Sequence, residues 1–217
     1  MKLKEMFFDL LFPPRCALCG RRGVRGMCRE CEKHLPYAEP AVCTGAGFGR
    51  CASAALYEGG IRKGLLRFKF SGGRSAAIAF GELMARTAAE EYGGEFDLVT
   101  YVPVSDKRLR ERGYDQSRLL AEAMAKHWDA EVLTLLRKTR HNDAQSTIKS
   151  AATRRVNVLG VYEAAQEERI RGARILLVDD ILTTGATLTE CVRVLKDAGA
   201  KEVLCLTLAR AVTAENK

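Results

Sequence analysis

Two adjacent acids, Asp179 and Asp180, close the apolar run Leu176-Leu177-Val178, and a loop of Thr183, Thr184, Gly185, Ala186 and Thr187 follows them. The loop suits a phosphate, because threonine hydroxyls donate hydrogen bonds and Gly185 lets the backbone approach closely. No Lys or Arg stands between Asp179 and Cys191, and the Gly-Lys-Ser/Thr ending of a triphosphate loop is absent. Two carboxylates beside such a loop repel a bare polyphosphate. They are therefore expected to accept hydrogen bonds from sugar hydroxyls or to sit near Mg²⁺, which points to a nucleotide-like ligand. The plain alternative is a solvated strand end followed by a capped turn.

A second group is metallic in character. Cys16-x-x-Cys19 and Cys28-x-x-Cys31 are separated by eight residues rich in Gly and Arg, in a stretch with little else to form a core. Zn²⁺ takes four thiolates tetrahedrally, and each Cys-x-x-Cys turn offers two. A structural Zn²⁺ knuckle is expected in preference to a redox pair, because neither turn opens a helix in a βαβ unit. His34 is a possible substitute ligand or, more simply, a solvated loop residue. Cys43 and Cys51 have no close partner in sequence. Cys191 and Cys205 fall on apolar positions and read as core thiols.

These groups need elements to position them. Short apolar runs at 97–102, 131–136, 174–178 and 202–208 alternate with helical patterns, which predicts a parallel sheet covered by helices on both faces. The acidic pair then lies at a strand's carboxyl end, and the helix after Gly185 presents unpaired N–H groups to an anion. A second strand end leads into residues 103–116, where Lys107, Arg108, Arg110 and Arg112 form a basic segment or a solvated helix start. Residues 137–155, basic and weakly periodic, fit a hood over the site or a plain surface loop. The expected division is a zinc module over 1–52, with the glycine-rich 44–49 as linker or loop, and one larger α/β domain over 53–217.

The block Val178-Asp179-Asp180 with Thr183-Thr184-Gly185-Ala186-Thr187 resembles the phosphoribosyl pyrophosphate (PRPP) motif of type I phosphoribosyltransferases. That resemblance implies that Asp179 and Asp180 are catalytic and hold the ribose hydroxyls. It also implies that residues 183–187 hold the 5′-phosphate, and that Lys107, Arg108, Arg110 or Arg112 neutralises pyrophosphate. The wider layout resembles the ComF family of competence-associated proteins: Leu11-Phe12-Pro13-Pro14-Arg15-Cys16, Leu66-Arg67-Phe68-Lys69-Phe70, Val102-Pro103-Val104, Arg112-Gly113-Tyr114-Asp115-Gln116, and Gln145 with Arg154 and Asn157. Asp115 stands where that family usually has Asn, and Cys43 lacks a second cysteine nearby. The resemblance implies a type I phosphoribosyltransferase-like sheet with an N-terminal zinc module, PRPP with Mg²⁺ as ligands, and a role in handling transforming DNA. It leaves the acceptor open.

Composition narrows the alternatives. A net charge of +8 favours phosphorylated ligands or nucleic acid. A module for single-stranded DNA, or an adaptor for other competence proteins, is the competing reading. Only 7% of residues are aromatic, however, and Tyr114 is the main ring in the basic loops available for base stacking. The apolar start, broken by Asp9 and stopped by Pro13-Pro14, is too short for a membrane span or signal core, so a cytoplasmic protein without membrane insertion is expected. No Ser/His/Asp set is evident; His34, His127 and His141 lie in unrelated contexts.

Overall fold

The computed structural model describes residues 13–70, 73–128, 130–139 and 159–212. In chain order these form α1 (Arg29–Lys33), β1 (Val42–Gly45), β2 (Gly49–Leu56), α2 (Gly59–Phe70), α3 (Ala76–Tyr92), β3 (Leu98–Tyr101), α4 (Asp106–Arg112), α5 (Gln116–Ala125), β4 (Leu136–Lys138), β5 (Tyr162–Ala164), α6 (Glu167–Ile170), β6 (Arg174–Leu182), α7 (Ala186–Asp197) and β7 (Glu202–Arg210). Among the described residues no helix is long and apolar enough to cross a membrane.

Five strands make the main sheet, in the order β1-β2-β7-β6-β3. The last four run parallel, and β1 adds an antiparallel edge. Side chains alternate across the strands. Leu176 and Val178 of β6 and Leu204, Leu206 and Leu208 of β7 join one core, whereas Ile175, Leu177, Val203 and Cys205 join the other. Both faces are thus buried, which explains runs that are apolar without polar alternation. On the first face lie α2, α3 and α5, and on the second α7 with the small antiparallel pair β4–β5. Tyr92, at the end of α3, accepts from Ala52 N–H and donates to the Cys205 carbonyl, both at 2.7 Å, pinning that helix across β2 and β7.

Three sequence expectations change. Residues 131–136 do not form a full sheet strand: Val132 makes an isolated bridge to Val99, and Leu136 opens the separate antiparallel pair β4–β5. The glycine-rich stretch read as a linker or loop is the β1–β2 hairpin, with Gly45 facing Gly49 across its turn. The strand read as ending at Val178 continues to Leu182, because β7 keeps pairing with it after β3 has stopped at Tyr101. The supposed hood falls mostly on residues 140–158, outside the described residues.

Close packing of α3 on α5 depends on Gly81. A Cβ there would lie 2.5 Å from the Ala123 Cβ and 2.8 Å from its carbonyl carbon. Gly81→Ala is expected to force the helices apart and cost about 1–3 kcal/mol in urea unfolding. Unchanged stability would mean that the interface yields freely.

Candidate active site and metal centre

The four knuckle cysteines converge. Their sulfur atoms all lie within 4.8 Å of one another, and Cys19 Sγ is 3.8 Å from Cys28 Sγ. A tetrahedron with Zn–S bonds of about 2.3 Å has edges of about 3.8 Å, so the donor set fits Zn²⁺ in size and chemistry. Cys28 N–H also points to Cys16 Sγ at 3.4 Å. His34 stays outside the cluster, exposed, with Nδ1 at 2.9 Å from the Glu30 carbonyl. The knuckle is not a free appendage: Cys16, Ala17, Leu18 and Cys28 belong to the core shared with α2 and α3. Arg67 of α2 donates to the carbonyls of Ala17 and Leu18. Cys43 and Cys51, without a partner in sequence, face each other across β1 and β2.

The second site is a cleft of about 380 Å³ at the carboxyl ends of the parallel strands. Because β6 outruns β3, Asp179 and Asp180 stand beyond the sheet's last pairing on that side. Asp179 Oδ1 accepts from Ser117 Oγ at 2.9 Å and from Asp180 N–H at 2.8 Å. Asp180 is gripped by Lys69, whose Nζ lies 2.9 Å from Oδ1 and 2.8 Å from Oδ2. Burial, reinforced by the neighbouring charge of Asp180, pushes the Asp179 carboxyl up to about 7.

The loop leads into an open helix end. Gly185 adopts φ 74° and precedes α7 with no side-chain cap on the helix N-terminus. Thr183, Gly185, Ala186 and Thr187 line the cleft, and Thr184 Oγ1 lies 3.5 Å from the Ala186 N–H. A Cβ on Gly185 would sit 2.3 Å from the Phe48 ring. The β1–β2 turn therefore packs directly on the loop.

Residues 106–112, read as a basic loop or helix start, form α4, and Ser105 caps it by accepting from Arg108 N–H at 3.4 Å. Helical spacing sorts the four cations. Arg108 and Arg112, four apart, share a face and line the cleft, whereas Lys107 and Arg110 are exposed and do not line it. Arg112 donates to Gln116 Oε1 at 2.8 Å and lies 5.0 Å from the Phe70 ring. Gln116 is 1% exposed, and its Nε2 has no hydrogen-bond partner among the described residues. Asp115 caps α5 through Arg118 N–H at 3.1 Å and accepts from Val104 N–H at 2.8 Å. Its acceptor-only carboxylate thus serves this loop. Tyr114, read as a candidate for base stacking, is buried against Phe68 and donates to that residue's carbonyl.

Sequence reasoning passed over Lys69, Ser117, Tyr162 and Phe48, and it held Lys138 only within the segment read as a hood or a surface loop. Lys138 lies 5.2 Å from the Tyr162 ring at the cleft wall, and burial, with Arg108 nearby, draws it down to about 8. Only Lys69 stood in a quoted motif, and nothing local tied it to an acid 111 residues away.

Comparison with known proteins follows the same outline. The Phosphoribosyl transferase domain family matches residues 115–216, and the Double zinc ribbon domain family matches residues 7–58. The chain is 30% identical over 197 residues to "Competence protein ComFC" of Bacillus subtilis, covering 90% of this chain and 77% of that protein. It is 28% identical over 212 residues to "DNA utilization protein YhgH" of Escherichia coli K12, covering 89% and 90% respectively. Among solved structures, glutamine PRPP amidotransferase from B. subtilis, complexed with ADP and GMP, aligns with a TM-score of 0.44 and 26% identity. That alignment covers 63% of this chain and 27% of the other.

Two outcomes are expected. Purified protein should carry about one zinc per chain by metal analysis, and Cys28→Ser should lose it and lower the melting temperature, since the knuckle shares a core with α2. Gly185→Val should destabilise the fold through Phe48, and Phe48→Ala in the same chain should recover part of the loss. Strictly additive losses in that pair would show that the ring is not the obstacle.

Proposed function

Because the chain belongs to the ComF family and carries both a double zinc ribbon and a phosphoribosyltransferase domain, we propose that its cleft binds PRPP and transfers the phosphoribosyl group to an acceptor. The carrying observation is convergence: an acidic pair, an open helix N-terminus and two arginines surround one cleft. The volume suits a small ligand. In this reading the ribose 2′ and 3′ hydroxyls donate to Asp180 and Asp179. The α7 end, with Thr183, Thr184, Gly185, Ala186 and Thr187, takes the 5′-phosphate. Arg108 and Arg112 meet the pyrophosphate, and the orphaned Gln116 Nε2 supports a ligand acceptor beside them, since an unpaired buried donor costs about 1–3 kcal/mol.

Transfer breaks the C1–O bond, whose electron pair leaves with pyrophosphate. The acceptor's lone pair then bonds to C1, and its proton is released. Positive charge grows on the ribose ring as the bond loosens, beside carboxylates already fixed in place, while arginines offset the charge of the leaving group. Asp180 is held by Lys69 and Asp179 accepts from Ser117, so these acids suit hydroxyls better than direct ion ligation. Mg²⁺ brought in with PRPP would supply further neutralisation beside Arg108 and Arg112.

The working division is a zinc module in residues 1–52 and a transferase domain in 53–217, with β2 spanning the join. Four thiolate ligands require reduced cysteines, which supports a cytoplasmic setting. The relatives' names support a role in competence or DNA use. Single-stranded DNA or another competence protein is then the acceptor's source or a partner, although the buried Tyr114 offers no stacking surface.

Calorimetric titration with PRPP and Mg²⁺ tests the reading. Asp180→Asn should weaken binding about 10- to 100-fold, from the roughly 1.5–3 kcal/mol of a hydrogen bond to a charged group, with zinc content unchanged. Equal affinity in both proteins would move the reading to the nucleic-acid or adaptor alternative. Ribose hydroxyls favour the ionised acceptor, and the Asp179 carboxyl sits at about 7. Affinity should accordingly rise with pH through that value and level off above it. Asp179→Asn should flatten the profile relative to wild type, and an identical slope in both would assign the titration elsewhere.

A further inference from the structure

We infer that Lys69 is a positioning residue of the cleft, acting on the ligand's ribose through Asp180; the inference rests on the PRPP reading above. Lys69 stands in a segment through which the chain resembles the ComF family, but outside the acidic pair, threonine loop and basic segment to which the resemblance assigns ligand roles. It comes from α2, the helix that also seats the zinc knuckle. Its ammonium group bridges both Asp180 oxygens at 2.9 and 2.8 Å, with the two side chains only 19% and 15% exposed. Water screens such a pair poorly, so the lysine's charge bears strongly on the carboxylate.

Neighbouring contacts fix the end of α2 from which Lys69 projects. Phe68 is fully buried, with ring centroids 5.8 Å from Phe80 and 5.9 Å from Tyr114. Arg67 ties the same turn to the knuckle carbonyls of Ala17 and Leu18. Gly64, one turn earlier, lets the helix approach so closely that a Cβ would lie 2.5 Å from the Ala17 carbonyl oxygen. Three consecutive side chains thus divide the work. Arg67 holds the knuckle, Phe68 fills the core, and Lys69 meets the acidic pair.

The chemical consequence concerns two adjacent carboxylates. Each Asp180 oxygen has two lone pairs, so the ammonium contact fixes the carboxylate in place and still leaves capacity for a ribose hydroxyl. Removing the lysine would leave the Asp180 carboxylate unheld beside Asp179, and the hydroxyl acceptor there would weaken. Lysine also carries a positive charge that could touch a ligand phosphate directly. The experiment must separate the two roles.

A double-mutant cycle does so, with PRPP and Mg²⁺ as the probe and full-length zinc-loaded protein throughout. Lys69→Met should weaken binding about tenfold while zinc content stays near wild type. Lys69→Arg should restore much of the affinity by supplying a cation at the same place. In the Asp180→Asn background, Lys69→Met should change affinity less than twofold, because its effect passes through that carboxylate. A full tenfold loss in that background would overturn the inference in favour of direct phosphate contact. Wild-type affinity in Lys69→Met, or no rescue by arginine, would overturn it too. Wild type that ignores PRPP would instead overturn the site reading on which the inference rests.

Discussion

Two adjacent carboxylates at the end of a buried strand repel each other and lose hydration, so the surrounding structure must supply compensation. Much of this molecule is arranged around that requirement. Strand β6 carries Asp179 and Asp180 past the last residue of β3, which opens space on that side for a ligand. Ser117 and the Asp180 N–H satisfy one acid, Lys69 neutralises the other, and Arg108, Arg112 and Lys138 raise the positive charge of the cleft walls. A ligand with several hydroxyls and several phosphates complements this mixture of acceptors and cations better than either kind of group alone.

The N-terminal segment supports the same site by two routes. The cysteine knuckle packs into the core beside α2 and is bound by Arg67, two residues before the lysine that reaches Asp180. The hairpin that follows brings Phe48 against Gly185, and a Cβ at Gly47 would lie 2.3 Å from Thr189 of α7. Both routes are short and made of close contacts, so ordering the knuckle and shaping the cleft are mechanically connected. The zinc site thereby gains a structural purpose in a chain where residues 13–28 contain few large apolar side chains.

The features legible in the sequence are those whose residues are neighbours along it. The acidic pair with its Thr/Gly loop and the paired cysteines each declare a chemistry within a few residues, and the structure gathers each group in space. The alternating apolar runs announced a parallel sheet, because strands buried on both faces lose polar alternation. Hidden features depend on tertiary pairing. Strand β6 reaches Leu182 only because β7 stays beside it, and residues 131–136 stop short of a sheet strand because β4 turns to pair with β5. Lys69 and Ser117 reach the cleft, and Phe48 the loop beside it, from three separate parts of the chain, so no local spacing marks them. The basic stretch left loop and helix start open, and the helix decides which cations face inward.

The most direct test of the account is amide hydrogen exchange of the wild-type protein with and without PRPP and Mg²⁺. Bound ligand should slow exchange across residues 183–188, where the open end of α7 would receive the phosphate, and across 104–117 beside the pyrophosphate. The knuckle amides of residues 16–31, joined to the cleft only through packing, should change less than either segment. Protection confined to the knuckle, or none at 183–188 under saturating ligand, would contradict the assignment of this strand end as the binding site.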